Sequence, residues 1–71
     1  MVKTRYKIAN LPLMRSECAL TQAELAHKAG LSVPTVSAAE QGDTVTLSTA
    51  KKLMKALGRK LDEAAERVVM Q

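Results

Sequence analysis

The sequence predicts an all-α domain of five short helices, led by an extended N-terminal arm. Three observations carry that expectation. From Leu11 onward, apolar residues recur at spacings of three and four, the period of one helix face. Residues that cap or stop helices separate those runs: Asn10, Thr21, Gly30, Ser32, Gly42, Thr46 and Gly58. Residues 2–8 break the pattern by alternating, with Val2, Thr4, Tyr6 and Ile8 on one side and Lys3, Arg5 and Lys7 on the other, the period of a strand.

Taken in order, residues 1–9 form a basic arm or strand. A lone strand is not stable in water, so the arm lies on the domain, pairs with another chain or stays loose. Asn10 opens the first helix as its N-cap, with Pro12 tolerated in the first turn. Leu11, Met14, Arg15 and Cys18 share one face of that helix. Thr21 opens the second, and Glu24 three positions later makes the capping-box spacing. Gly30 stops it. Ser32 caps the third helix, which has Pro34 in its first turn and runs to about Gly42. Thr46 or Ser48 opens the fourth, with Leu47, Ala50, Leu53, Met54 and Leu57 as its apolar stripe and Gly58 as its stop. Leu61, Ala64, Ala65, Val68 and Val69 suggest a short fifth helix from Asp62.

Composition narrows the possible functions. The chain has 71 residues, enough for one modest domain, and 46% of them are hydrophobic. Tyr6 is the only aromatic residue, so the core must be aliphatic and thin, and self-association would help it. No apolar run is long enough for a membrane span or a signal peptide. Cys18 is the only cysteine, which excludes an internal disulfide and points to a reducing, cytoplasmic setting. With one histidine and one cysteine, no metal site is expected. Eleven Lys and Arg against seven Asp and Glu give a formal charge of +4, compatible with a polyanionic partner. The cations cluster at Lys3, Arg5, Lys7 and Arg15, and again at Lys51, Lys52, Lys55, Arg59 and Lys60.

The segment 21–42, "LTQAELAHKAGLSVPTVSAAEQG" with its preceding leucine, uses alanine where packed helices usually carry larger residues, and has a glycine at its centre. Counted from Gln22, Leu25 and Ala29 point inward, and Ala26 marks the closest approach. Gly30 turns, Leu31 plugs the turn, and Val36 and Ala39 point inward from the next helix. A longer side chain at Ala26 would collide with the crossing helix, and a β-carbon at Gly30 would be strained. This is the residue pattern of a helix-turn-helix within a domain spanning 10–71.

Here the sequence resembles the Cro/CI-type, XRE-like helix-turn-helix proteins of phage and bacterial regulators. "LTQAELAHKAGLS", "TVSAAEQG" and "KKLMKALG" carry the resemblance, which covers residues 11–62. It implies a five-helix, lambda-repressor-like fold that binds operator DNA, usually as a dimer. It also implies a structural ion pair between Arg15 and Glu40, whose loss would strand a charge.

The exposed face of the third helix should be Val33, Pro34, Ser37, Ala38 and Gln41. By resemblance, Val33, Pro34, Ser37 and Ala38 meet base edges in the major groove. None of the four offers a bidentate readout. Val33, Pro34 and Ala38 can touch thymine methyls, Ser37 can make one hydrogen bond, and DNA shape and the arm supply the rest. Thr21 and Gln22 sit at a helix N-terminus suited to phosphate. Thr35, Gln41, Thr44 and Thr46 are the other expected phosphate contacts. Lys3, Arg5 and Lys7 would follow the backbone or enter the minor groove.

A single unit makes few base contacts, so a homodimer on an inverted-repeat operator is expected. Leu61, Val68, Val69 and Met70 form the preferred dimer surface, with the arm as a supporting contact. The leading expectation is a small dimeric transcriptional repressor of a phage or mobile element, cytoplasmic and nucleoid-associated when bound. The alternative is an antitoxin or protein-interaction module, with a partner such as a toxin. No catalytic constellation, phosphate loop or cofactor motif is present, so an enzyme is not expected.

Overall fold

The computed structural model describes the backbone of residues 3–70 and the side chains of residues 4–69. The elements run β1 (Lys3–Ile8), α1 (Leu11–Glu17), α2 (Gln22–Ala29), α3 (Val33–Glu40), α4 (Leu47–Ala56), α5 (Leu61–Ala64) and β2 (Ala65–Met70). β1 and β2 form a two-stranded antiparallel sheet, with Lys3 opposite Met70 and Ile8 opposite Ala65. The domain is therefore not all-α. Val2, expected on the same side of the strand as Thr4, Tyr6 and Ile8, lies outside the described residues.

Side-chain caps set where three of the helices begin. Thr21 Oγ1 accepts from the Glu24 amide at 3.1 Å, and Glu24 returns a carboxylate to the Thr21 amide at 2.8 Å, closing a capping box. Ser32 Oγ accepts from the Thr35 amide. Thr46, rather than Ser48, caps α4 through the Thr49 amide. Asn10 does not cap α1 with its side chain. It is left-handed, at φ 57°, and bonds the helix only through its carbonyl.

The first four helices all end in the same reversal, a backbone bond spanning five residues. Leu20 donates to Arg15 at 3.1 Å, Leu31 to Ala26 at 2.8 Å, Asp43 to Ala38 at 3.1 Å and Arg59 to Met54 at 2.9 Å. The residue before each donor has positive φ: Ala19, Gly30, Gly42 and Gly58. At Gly30 the backbone requires this freedom, because the chain must reverse between α2 and α3 within a few residues. At Ala19 an ordinary side chain occupies the same strained basin.

The core is aliphatic. Leu11, Leu25, Val36, Leu53 and Met54 are fully buried, joined by Ile8 of β1 and Val45 of the α3–α4 loop. Alanines bring the helices close together: Ala26 of α2, Ala39 of α3 and Ala50 of α4 are all buried. Leu31 packs against this cluster from the turn.

The expected fifth helix is a single turn. Beyond Ala64 the chain extends, because β1 offers a row of unpaired backbone groups and the Val68–Val69 pair suits a pleated surface. A helical stripe through Ala65, Val68 and Val69 does not form. Cys18, placed with Leu11 and Met14 on one helix face, is exposed at the end of α1, its thiol 3.9 Å from the Leu57 carbonyl.

Replacing Ala19 with glycine should raise stability by about 0.5–1 kcal/mol, the relieved strain less the extra entropy of an unfolded glycine. Thermal denaturation should show a midpoint higher by about 2–6 °C; an unchanged or lower midpoint would contradict strain at this turn.

Candidate nucleic-acid interface

The site is assembled around a charge that α3 places at its own C-terminal end. A carboxylate there opposes the helix dipole, and the Glu40 side chain is only 7% exposed. Arg15 of α1 compensates, its guanidinium Nε and NH2 donating to the two oxygens of Glu40 in a bidentate pair. A further nitrogen of Arg15 donates to the Leu20 carbonyl at 2.9 Å. Gln22, at the start of α2, donates its amide nitrogen to Glu40 at 2.9 Å. One carboxylate thus ties α1, α2 and α3 together. Burial opposes the charge on Glu40, but the hydrogen bonds from Arg15 and Gln22 and the charge of Arg15 outweigh it, holding the carboxyl below its ordinary value. The hydrogen bond to Glu40 correspondingly raises the Arg15 guanidinium against the cost of its own burial.

With Glu40, Val36 and Ala39 turned inward, α3 shows its opposite face to solvent. Val33, Pro34 and Gln41 are exposed there, and Ser37 and Ala38 half-buried. The Ser37 hydroxyl lies 3.5 Å from the Gln41 amide nitrogen. Thr35 is half-buried, its hydroxyl 2.8 Å from that of Ser32. The face carries no charge and one large apolar side chain, Val33 at 41% exposure.

The polar residues expected to flank this helix already have structural work. Thr21 and Thr46 cap α2 and α4. Gln22 is half-buried on Glu40. Thr44 accepts from Arg5 twice, through its hydroxyl at 2.9 Å and its carbonyl at 2.8 Å. Gln41 stays exposed.

The basic segment is a strand rather than a loose arm. Tyr6 exchanges two backbone bonds of 2.7 Å with Val45, so β1 grips the α3–α4 loop along one edge while β2 pairs along the other. Arg5 reaches over that loop to Thr44. Lys7 is exposed, with its Cε 3.6 Å from where a Gly42 β-carbon would stand, which places it beside the end of α3. The side chain of Lys3 lies outside the described residues. Sequence reasoning missed Val45, although Thr44, Val45 and Thr46 form a β-branched run that suits extended backbone.

The expected dimer surface does not form a helical face. Leu61 packs on its own core. Val68 is half-buried in β2, and Val69 is 53% exposed. The backbone of Met70 ends β2, while its side chain lies outside the described residues. Among the described residues no helix is long and apolar enough to cross a membrane, and no group of acidic, histidine or cysteine side chains could hold a metal ion.

A short helix crossing a second at alanines, with the second exposed along its outer face, is the architecture of DNA-binding transcriptional regulators. A helix-turn-helix family model matches residues 13–63, and the chain belongs to that XRE-type helix-turn-helix family. Comparison with the curated proteins found no match.

Glu40→Gln should lower stability at neutral pH by about 2–3 kcal/mol, less than for a fully enclosed pair because Arg15 still meets solvent. The folded-state value of Glu40 lies below its ordinary 4.5. Its contribution is therefore complete above that value and lost as pH falls through the lowered one. Denaturant titrations of both proteins should differ most at neutral pH and converge in acid; a gap independent of pH would rule out the ionised pair.

Proposed function

We propose that the protein is a sequence-specific DNA-binding regulator that lays α3 in the major groove. We further propose that it acts as a dimeric repressor of a phage or mobile element on an inverted-repeat operator. One observation carries the reading. The helix that the α2 crossing and the Glu40 network hold in place turns Val33, Pro34, Ser37, Ala38 and Gln41 outward.

With no arginine, asparagine or glutamine on the first turn of α3, base recognition rests on fit. Val33, Pro34 and Ala38 suit thymine methyls, and Ser37 supplies one hydrogen bond. Discrimination by such contacts is modest, so sequence-dependent DNA shape contributes much of it.

Phosphate contact divides between two ends. At α2, the first-turn amides of Gln22 and Ala23 are open and the dipole favours an anion. The Gln22 side chain orients that turn through Glu40 while its backbone faces the phosphate. Past α3, Gln41 and the exposed Lys7 flank the second phosphate. Arg5 acts by holding the loop at Thr44, a positioning role more than a direct contact.

The alternative is an antitoxin or another protein-binding module. The uncharged outer face of α3 favours it, since an apolar surface suits a protein partner as well as a groove. Co-purification with a stoichiometric protein, together with no shift of any DNA, would favour that reading.

Selection of bound DNA from a random pool should enrich an inverted repeat. On the selected site, log affinity should fall linearly with log salt, with a slope of about −0.9 per phosphate neutralised. A flat salt response and no enriched sequence would reject DNA recognition. Lys7→Ala should reduce the slope by about one while leaving sequence preference intact. Ser37→Ala should relax preference at one position and leave the slope unchanged.

A further inference from the structure

The packing of α2 on α4 leaves a hollow at the surface. Lys28 and Ala29 of α2 and Lys52, Lys55 and Ala56 of α4 line its volume of about 330 Å³. Positions 52, 55 and 56 share one face of α4, since residues three and four apart are neighbours on a helix. Ala56 is buried and Ala29 half-buried, while the three lysines are exposed. Two small apolar residues thus form the floor, and three ammonium groups on flexible stems stand round the rim.

Among the described residues nothing neutralises that rim, because the ion pairs are made by Arg15 and Arg59. The helix α4, LSTAKKLMKA, contains no acid to pair with its lysines. Glu24 stands one turn before Lys28, but its carboxylate is drawn back to the Thr21 amide at 2.8 Å. Three like charges around one hollow repel one another, and an anion seated among them replaces that repulsion with attraction.

We infer that this hollow binds a small polyanion, a molecule with two or more phosphate or carboxylate groups that bridges Lys28 to Lys52 and Lys55. The inference goes beyond DNA recognition and does not depend on it. Size favours a small ligand, since about 330 Å³ falls at the lower end of small-molecule sites. Five lining residues do not make a groove long enough for a peptide to lie along.

Position separates the hollow from the proposed duplex face. Phosphate contact there uses the N-terminal end of α2 at Gln22 and Ala23, and Lys28 lies about 9 Å further along the helix axis. Lys52 and Lys55 likewise sit in the second half of α4, away from its cap at Thr46. A bound anion would tie the C-terminal half of α2 to α4. It would stabilise the whole domain, because a ligand held only by the folded state raises the unfolding midpoint with its concentration.

The test uses the full chain without DNA. Sodium pyrophosphate and sodium citrate are titrated separately, against sodium chloride at matched ionic strength, and followed by amide NMR and thermal denaturation. At least one of the two should shift the amides of Lys28, Ala29, Lys52, Lys55 and Ala56 saturably and raise the midpoint where chloride does not. Which anion does so identifies phosphate or carboxylate as the recognised group. Lys28→Gln and Lys52→Gln, which keep helix propensity, should each weaken binding by about fivefold, the upper worth of an exposed ion pair. Lys51→Gln removes the same charge from α4 outside the hollow and should leave binding unchanged.

Equal weakening by Lys51→Gln would mark a diffuse response to net charge and overturn the proposal. So would shifts spread equally over Lys7 and Lys60, or no saturable response to either anion. Displacement of the anion by the selected duplex would assign these lysines to DNA and overturn it as well. Lys52→Gln should still shift the selected DNA, so failure of the anion site leaves the DNA reading standing.

Discussion

A carboxylate at the end of a helix, turned into the protein, holds the arrangement together. Glu40 sits where the dipole of α3 disfavours it and where solvent barely reaches. It can stay ionised there only with a cation and further donors. Arg15 and Gln22 supply them, and each comes from a different helix. Because those donors converge on one carboxylate, α3 cannot rotate about its axis without stranding a charge. Its rotation decides which residues reach solvent, so the ion pair acts on the outer face without being part of it.

The sheet performs a matching task just beyond the same end of α3. A helix that ends in a free loop would leave its last turn loosely placed. Here the loop is sewn to β1 by the Tyr6–Val45 bridge and clasped by Arg5 at Thr44. The same strand lays Lys7 beside Gly42. One basic residue thus becomes a strut, and the other is exposed with no ion-pair partner among the described residues. Two residues with the same charge, two positions apart on one strand, differ because of what lies under each.

Much of the helix-turn-helix was legible in the chain, and the reason is local. Capping by Thr21, Ser32 and Thr46 and reversal at Gly30 depend on residues within a few positions of one another. The alanine at 26 betrays a close crossing because no larger side chain fits one. The pairing of Arg15 with Glu40 came from resemblance, since twenty-five positions separate the partners and neither residue alone announces the other. Asn10 and Cys18 were misplaced by rules that held elsewhere: a good capping residue can bend left-handed, and a helix face can end one residue early.

By itself, the sequence determined the positions of α2, α3 and α4, the tight crossing between α2 and α3, and the side of α3 that faces out. Each follows from the short-range chemistry of backbone amides, side-chain size and helical period. Only the tertiary structure decided that residues 65–70 are a strand, that the N-terminal segment is held on the domain, and that Arg5 is engaged with Thr44. These depend on pairing between opposite ends of the chain. A strand acquires its partner through backbone groups that every residue carries alike, so the side chains along it give little sign of the match.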